Sequence, residues 1–367
     1  MMMDLLNSAL NLVVPPASLV MLAFAWPALT FINACEWAYN SFYGVEDMAD
    51  KVVVITGASS GIGERIAYEY AKRRAILVLV ARRENRLIGI SETARRIGAR
   101  HVMIMAADVV KEEDCKRFIN EAINFYGRVD HLVNTASLGH TFYFEEASDT
   151  SVFPLLMDIN FWGNVYPTYV ALPYLRQNKG RIIVNASIEN WLPLPRMSLY
   201  SAAKAALINF YDTLRFELKD DVGVTIATHG WIGTEMSRGK FMVEEGAEMQ
   251  WKEEREVHVS GGPVEEFARL IVEGACRGDT YVKFPSWYDV FLLYRAFAPN
   301  VMGWTFHFLL SSLGPRRTSS LIGMGRPLPD NGSSLQRLDA SPARNRLTAP
   351  DTLTFSQSPR QLGQRSD

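Results

Sequence analysis

Cysteine is scarce in this 367-residue sequence: Cys35, Cys115 and Cys276 stand far apart and in no metal-ligand spacing. That usage predicts a reducing compartment, no structural disulfide and no zinc site. Neither sign of charge is in excess, since 38 Lys and Arg against 40 Asp and Glu leave a formal net charge of -2, and no basic stripe occurs. Nucleic acid is thereby excluded as a partner, because phosphate binding needs clustered cations. Charge is missing altogether between Asp4 and Glu36, and no Lys or Arg precedes Lys51. A cleaved secretory leader is disfavoured, because its usual basic start is absent. Beyond Pro315 aromatics run out, with Phe355 the only one among Ser, Pro, Arg, Gln and Asp. Such a segment buries too little apolar surface to order itself, and 315–367 is expected to be a disordered tail.

Leu10 to Ile32 is apolar and long enough to enter a bilayer, which takes roughly 20 residues. Residues 1–49 therefore read as a retained hydrophobic anchor. Pro15, Pro16 and Pro27 lack backbone N–H groups, so a proline-bent, hairpin-like dip is expected over a straight span, with a kinked transmembrane helix as the alternative. Trp37, Tyr39, Phe42 and Tyr43 follow Glu36 as an aromatic group suited to a membrane–water boundary.

From Lys51 the pattern changes. Continuously apolar runs (VVVIT, ILVLVA, HVMIMAAD, HLVNTA, RIIVNAS, GVTIATHG, TYVKFP) alternate with helical periods. Runs apolar on both faces belong to a parallel sheet covered by helices, and the alternation predicts an α/β, Rossmann-type, doubly wound domain over about 50–285. A second apolar stretch over 286–314, interrupted by Asp289, Arg295, Pro299 and Gly303, either packs on the domain or a dimer mate, or touches a membrane.

Thr56-Gly57-Ala58-Ser59-Ser60-Gly61-Ile62-Gly63 follows the first strand and opens a helix. In that context Gly57 allows the tight turn, Gly61 lets backbone approach a pyrophosphate, and Gly63 permits close helix–strand packing. Ser60 and Ile62 complete the turn at the helix N-terminus, where free N–H groups meet phosphate. The second strand ends Val80-Ala81-Arg82-Arg83, where an NAD enzyme would place Asp or Glu. Arg82, with Ser59, suits a 2′-phosphate, so NADP(H) is the expected cofactor; the alternative leaves Arg82 and Arg83 to a solvated helix start beside Glu84.

Tyr200-Ser201-Ala202-Ala203-Lys204 sets a phenol and an ammonium four apart on one helix face. The ammonium and a nicotinamide cation would favour the phenolate and lower its pKa. Ser187 ends the run Ile182 to Ser187, at the carboxyl edge of the sheet, where its hydroxyl could hold a substrate oxygen.

The glycine turn, Asp158-Ile159-Asn160, Ser187 and Tyr200-x3-Lys204, in this order, resemble the classical short-chain dehydrogenase/reductases over about 50–285. The resemblance implies that Tyr200 is the acid/base and that Lys204 lowers its pKa and binds the nicotinamide ribose. It likewise implies that Ser187 orients the carbonyl, Asn160 completes a proton relay through water, and Asp108 meets the adenine. Asn134 and Ala136 would line the cofactor, Thr234 would hold the carboxamide with Ile232 beside it, and the chain would form a homodimer. Two departures stand out. Asn134-Thr135-Ala136-Ser137 replaces the family's Asn-Asn-Ala-Gly turn, which should loosen it, and His229-Gly230 replaces Pro-Gly. His229 reads as structural more than catalytic.

The anchor followed by this domain is similar to the plant steroleosins, hydroxysteroid dehydrogenases of seed oil bodies. That similarity implies a hydrophobic, sterol-like substrate, a lipid-droplet or endoplasmic-reticulum membrane location and a cytosolic enzyme domain. The loop from Trp231 to Gly261, with Met236, Phe241, Met242, Met249 and Trp251, fits an apolar pocket without naming its occupant. A retinoid or 3-ketoacyl lipid reductase, and a non-catalytic sterol-binding droplet coat protein, are the alternatives.

Overall fold

A computed structural model describes residues 2–139, 144–147, 150–192, 194–230, 240–241, 250–251, 263–286 and 289–312. The tail over 315–367 and nearly all of the 231–261 loop, including Ile232 and Thr234, lie outside the described residues.

Seven parallel strands form one sheet: β1 (Val52–Thr56), β2 (Ile76–Ala81), β3 (His101–Ala106), β4 (His131–Asn134), β5 (Arg181–Asn185), β6 (Gly223–His229) and β7 (Tyr281–Phe284). Their spatial order is β3-β2-β1-β4-β5-β6-β7. The helices between them are α2 (Gly61–Lys72), α3 (Glu84–Ile97), α4 (Glu112–Tyr126), α5 (Val152–Met157), α6 (Gly163–Gln177), α7 (Ser198–Leu218) and α8 (Val264–Arg277).

Side-chain alternation along the strands feeds two cores. Val53, Ile55, Leu77 and Leu79 pack with Tyr70, Leu87 and Phe267 from α2, α3 and α8. Val52, Val54, Val78 and Val80 pack with Phe118, Leu175 and Tyr211 from α4, α6 and α7. Both faces being covered explains why the strands read as unbroken apolar runs. The order reverses between β1 and β4, and ligands of such sheets bind where the carboxyl ends of the strands diverge.

The anchor corrects the expected proline-bent dip: α1 runs unbroken from Met2 to Tyr43 through all three prolines. Its 42 residues span on the order of 60 Å at roughly 1.5 Å each, and Leu12–Ile32 is long and apolar enough to cross a membrane. Each proline frees only one carbonyl, on Asn11, Leu12 and Ala23, and apolar helices carry such lesions without ending. The 286–314 stretch forms two helices, α9 (Asp289–Phe297) and α10 (Pro299–Ser312).

The chain joins the domain before β1. The Glu46 amide donates to the Cys276 carbonyl at 2.8 Å, and Glu46 Oε2 lies 3.1 Å from Nε2 of the buried His131, whose Nδ1 lies 2.8 Å from the Tyr70 hydroxyl. Burial alone would raise the Glu46 carboxyl, but hydrogen bonds from His131 and Lys51 outweigh it and hold it at about 2. Burial pushes His131 below its ordinary value despite Glu46, so the ring is neutral, accepting from Tyr70 and donating to Glu46.

Both groups bind fewer protons folded than unfolded. Their stabilisation is full above the unfolded histidine's pKa and is lost as pH falls, first through His131 and then through Glu46. Thermal melts should show Tm dropping from neutral pH into acid. His131→Leu should cost about 1 to 3 kcal/mol at neutral pH and flatten the upper part of that drop, since Tyr70 and Glu46 lose a buried partner. An unaltered acid limb in the variant would place the titration elsewhere.

Candidate active site

Gly57 ends β1 with φ of 68° and Gly61 opens α2 with φ of 57°, both in the left-handed region that favours glycine. A Cβ on Gly57 would lie 2.7 Å from the Ala136 amide nitrogen, and one on Gly63 would lie 2.5 Å from the Gly57 carbonyl oxygen. Both are packed too closely to take a side chain. Ser60, the residue before α2, makes no side-chain cap bond, so the first N–H groups of α2 are left for an anion. The bare loop and the uncapped helix end fit a dinucleotide pyrophosphate.

At the end of β2 the roles divide differently from the expected one. Arg82 is exposed. Arg83, half-buried, reaches the buried Ser59 hydroxyl through Nε at 3.2 Å and Nη2 at 3.1 Å, and Arg86 Nε lies 3.4 Å from the Ser59 carbonyl oxygen. Two guanidinium groups thus gather at one loop residue, beside the exposed Arg82. The sequence pointed to Arg82, gave Arg83 no role except, with Arg82, in the alternative of a solvated helix start, and passed over Arg86. The only available signal was the run of arginines itself.

Beyond β3, Asp108 starts the next turn, its amide bonded to Asp114 Oδ2 at 2.8 Å and its Oδ1 accepting from the Val110 amide at 3.4 Å. At the end of β4, Asn134 is fully buried, and its Nδ2 donates to the Asn164 carbonyl at 3.1 Å and to Thr168 Oγ1 at 2.9 Å. The following turn is tied down, against the expectation of a loosened one. Thr135 Oγ1 donates to the Thr56 carbonyl at 2.6 Å, and Ser137 Oγ donates to Asn160 Oδ1 at 2.8 Å. The two residues that depart from the family pattern supply these bonds themselves.

Asn160 lies in a π-helical turn, Asp158–Trp162, before α6. Its amide is spent on structure: Oδ1 also accepts from the Leu138 amide at 3.0 Å, and Nδ2 donates to the Leu138 and Leu156 carbonyls at 2.8 and 2.9 Å. The side chain clamps the 136–138 turn.

Ser187, Tyr200 and Lys204 meet at the carboxyl edge of β5 and β6, all buried. Tyr200 is hydrogen-bonded to Ser137 and Ser187, yet burial, with Glu189 adding, pushes its phenol above its ordinary value. The net shift is thus opposite to the lowering expected from Lys204. Lys204 Nζ donates to the Asn185 carbonyl at 3.1 Å and lies 5.6 Å from the centre of the Tyr200 ring. Burial brings its pKa down to about 8, with Glu189 pulling the other way. His229 donates from Nδ1 to the Gly230 carbonyl at 2.6 Å, stacks edge-on with Phe267, and is pushed by burial down to about 4. It is a neutral structural ring.

Glu189 escaped sequence reasoning. It sits in the short turn Ile188–Asn190, is 6% exposed, and accepts the Ser187 hydroxyl proton at Oε2. No motif marks it, because only the fold of the 187–192 turn brings it beside Tyr200 and Lys204.

Residues 51–244 match the family model described as short chain dehydrogenase. The 11-beta-hydroxysteroid dehydrogenase B of Sesamum indicum is 75% identical over 96% of this chain and 98% of its own length. The 11-beta-hydroxysteroid dehydrogenase-like 5 of Arabidopsis thaliana is 72% identical over 94% and 89%. A short-chain dehydrogenase/reductase from Burkholderia phymatum in complex with NAD superposes with a TM-score of 0.61 at 22% identity, over 70% of this chain and 96% of that one, a likeness of fold. An alcohol dehydrogenase from the archaeon Thermococcus sibiricus, complexed with 5-hydroxy-NADP, gives 0.53 at 26% identity over 64% and 94%.

Arg83 and Arg82 can be separated by titrating NADPH against protein fluorescence. Arg83→Ala should weaken NADPH more than tenfold, at about 1.5 to 3 kcal/mol for a charge-assisted contact, and Arg82→Ala by less. The reverse ranking would return the 2′-phosphate to Arg82.

Proposed function

The chain belongs to the short-chain dehydrogenases, and from that premise we propose that it is an NADP(H)-dependent hydroxysteroid dehydrogenase, interconverting hydroxyl and ketone groups on a hydrophobic, sterol-like substrate. The observation that carries the reading is the meeting of Tyr200 with Ser187 and Ser137, beside the Lys204 ammonium, at the sheet edge that also bears the glycine loop.

The residues would divide the work as follows. Gly57, Ser59, Ser60, Gly61, Ile62 and Gly63 form the floor for the pyrophosphate, with Asp108, Asn134 and Ala136 along the same strand ends. Arg82, Arg83 and Arg86 favour a 2′-phosphate, and no acidic residue ends β2 to oppose one. The bound nicotinamide supplies the hydride in reduction and accepts it in oxidation. Tyr200 holds the proton that passes to the substrate oxygen, and Lys204 steadies the charge that develops when it leaves. Ser187 orients the oxygen, and Asn160 keeps the 136–138 turn and its Ser137 hydroxyl in place. Ile232 and Thr234 are assigned to the nicotinamide side by resemblance.

A sterol-like substrate rests on the names of the relatives and on the membrane-length helix of Leu12–Ile32, which would hold the enzyme where such molecules partition. A lipid-droplet or endoplasmic-reticulum membrane location, with a cytosolic enzyme domain, is carried over from the resemblance of the anchor and domain to the steroleosins. A homodimer is supported by Trp162 just before α6, Tyr169 of α6 and Phe216 of α7, large apolar side chains that are exposed.

Tyr200→Phe keeps the ring and deletes the proton, so turnover of a keto-steroid by detergent-solubilised protein should fall by about 100-fold or more while NADPH still binds. Near-normal turnover in this variant would remove Tyr200 as the proton donor. A wild-type protein that turned over retinal or a 3-ketoacyl lipid but no steroid would move the substrate class. One that turned over none of them would leave the coat-protein alternative.

A further inference from the structure

Ser187 has one proton to donate and, besides the Tyr200 hydroxyl, two acceptors within reach, Glu189 Oε2 and the His229 carbonyl oxygen at 3.3 Å. A carboxylate is the stronger of the two, because charge-assisted hydrogen bonds exceed neutral ones. While Glu189 is ionised it therefore takes the Ser187 proton, and Ser187 can turn only lone pairs toward a substrate. Hydride transfer in either direction passes through an oxygen bearing partial negative charge, which needs a donor at that point.

We propose that Glu189 is a positioning residue for Ser187: as a neutral acid it donates to the serine oxygen and releases the hydroxyl toward the reacting oxygen, and as a carboxylate it captures that hydroxyl. This rests on the hydroxyl–ketone reading above. In the structure the Ser187 hydroxyl and the Glu189 carboxyl are in direct contact, the juxtaposition that either form requires.

The surroundings place the change in a useful range. Burial lifts the Glu189 carboxyl to about 7, with Lys204 pulling the other way. Facing it from α7 are Tyr200, which burial keeps protonated, and Lys204, anchored on the Asn185 carbonyl. From the end of β6 the His229 carbonyl reaches Ser187, while the neutral His229 ring lies on the Gly230 carbonyl and Phe267. Arg295 of α9 donates to the Trp191 carbonyl at 2.6 Å and lies 3.5 Å from the Asn190 carbonyl, tying α9 to the end of the turn that carries Glu189. No proton is consumed at Glu189 in a cycle, since the one delivered to substrate comes from Tyr200.

The test uses the full-length protein in detergent and three variants. With NADPH and a keto-steroid, the wild-type rate should fall above neutrality by about tenfold per pH unit, the slope of one ionisation. Glu189→Gln, whose amide donates to Ser187 permanently, should lose that limb and stay within about threefold of wild type at neutral pH. Glu189→Asp should keep a limb at a displaced pH. A limb unchanged in Glu189→Gln belongs to Lys204 and overturns the proposal, as does a loss equal at every pH.

Infrared difference spectra across neutrality give a readout without turnover. A protonated-carboxyl band should disappear on raising the pH, be missing in Glu189→Gln, and move in Ser187→Ala. Absence of such a band in wild type overturns the proposal. A titrating band in a protein that reduces no ketone overturns the functional reading instead, and leaves the coupling of Glu189 to Ser187 standing.

Discussion

The Lys204 ammonium has no exposed surface, and the arrangement around it is organised by that constraint. Taking a charge out of water costs several kcal/mol unless partners replace the lost hydration. The partners here are the Asn185 carbonyl, at the end of β5, and the carboxyl of Glu189. Position 204 on α7 is set by the apolar face that seats Leu207 and Tyr211 against the strands, so the ammonium is held between the sheet edge and the Tyr200 ring. The same burial that costs Lys204 raises Glu189 and Tyr200, which leaves three ionisable groups with displaced proton affinities in one small region. Such displacement is characteristic of sites that move protons.

Features carried by neighbours in sequence were legible beforehand. The glycine turn, the four-residue spacing of Tyr200 and Lys204, the position of Ser187 after an apolar run and the doubly wound sheet all depend on local periodicity, and the structure forms each of them. Contacts made by distant residues were not legible. Glu46 finds His131 across 85 positions, Thr135 finds Thr56 across 79, and Arg83 finds Ser59 across 24. Nothing at any one of these residues announces its partner. Ser137 illustrates the point: as a substitution for glycine it read as a weakening, whereas its hydroxyl joins Asn160 to the Tyr200 phenol. The expected proline bend differs from the structure for another reason: in an apolar segment one lost hydrogen bond does not end a helix.

The apolar ends of the described chain stand in a physical relation to the site between them. In α1, Leu12, Phe24 and Phe31 are exposed, and in α9 and α10, Phe297, Trp304 and Phe308 are exposed. Large apolar side chains exposed along these helices are the kind of surface that lipid contact would cover. Through Arg295, α9 also bears on the turn that carries Glu189. The proposed substrate would thus partition into the same phase that holds the enzyme, and the proposed proton chemistry would proceed beside a buried acid instead of open water.

Hydride transfer itself is the most direct measure. Full-length protein in detergent would be given a keto-steroid and NADPH carrying deuterium at the transferable position of the nicotinamide, and the alcohol product weighed by mass spectrometry. The expected result is one deuterium in the product with NADPH and far less with the matching NADH. Product formation without deuterium, or no transfer to any lipophilic ketone from either cofactor, would contradict the assignment of this chain as a nicotinamide-dependent dehydrogenase.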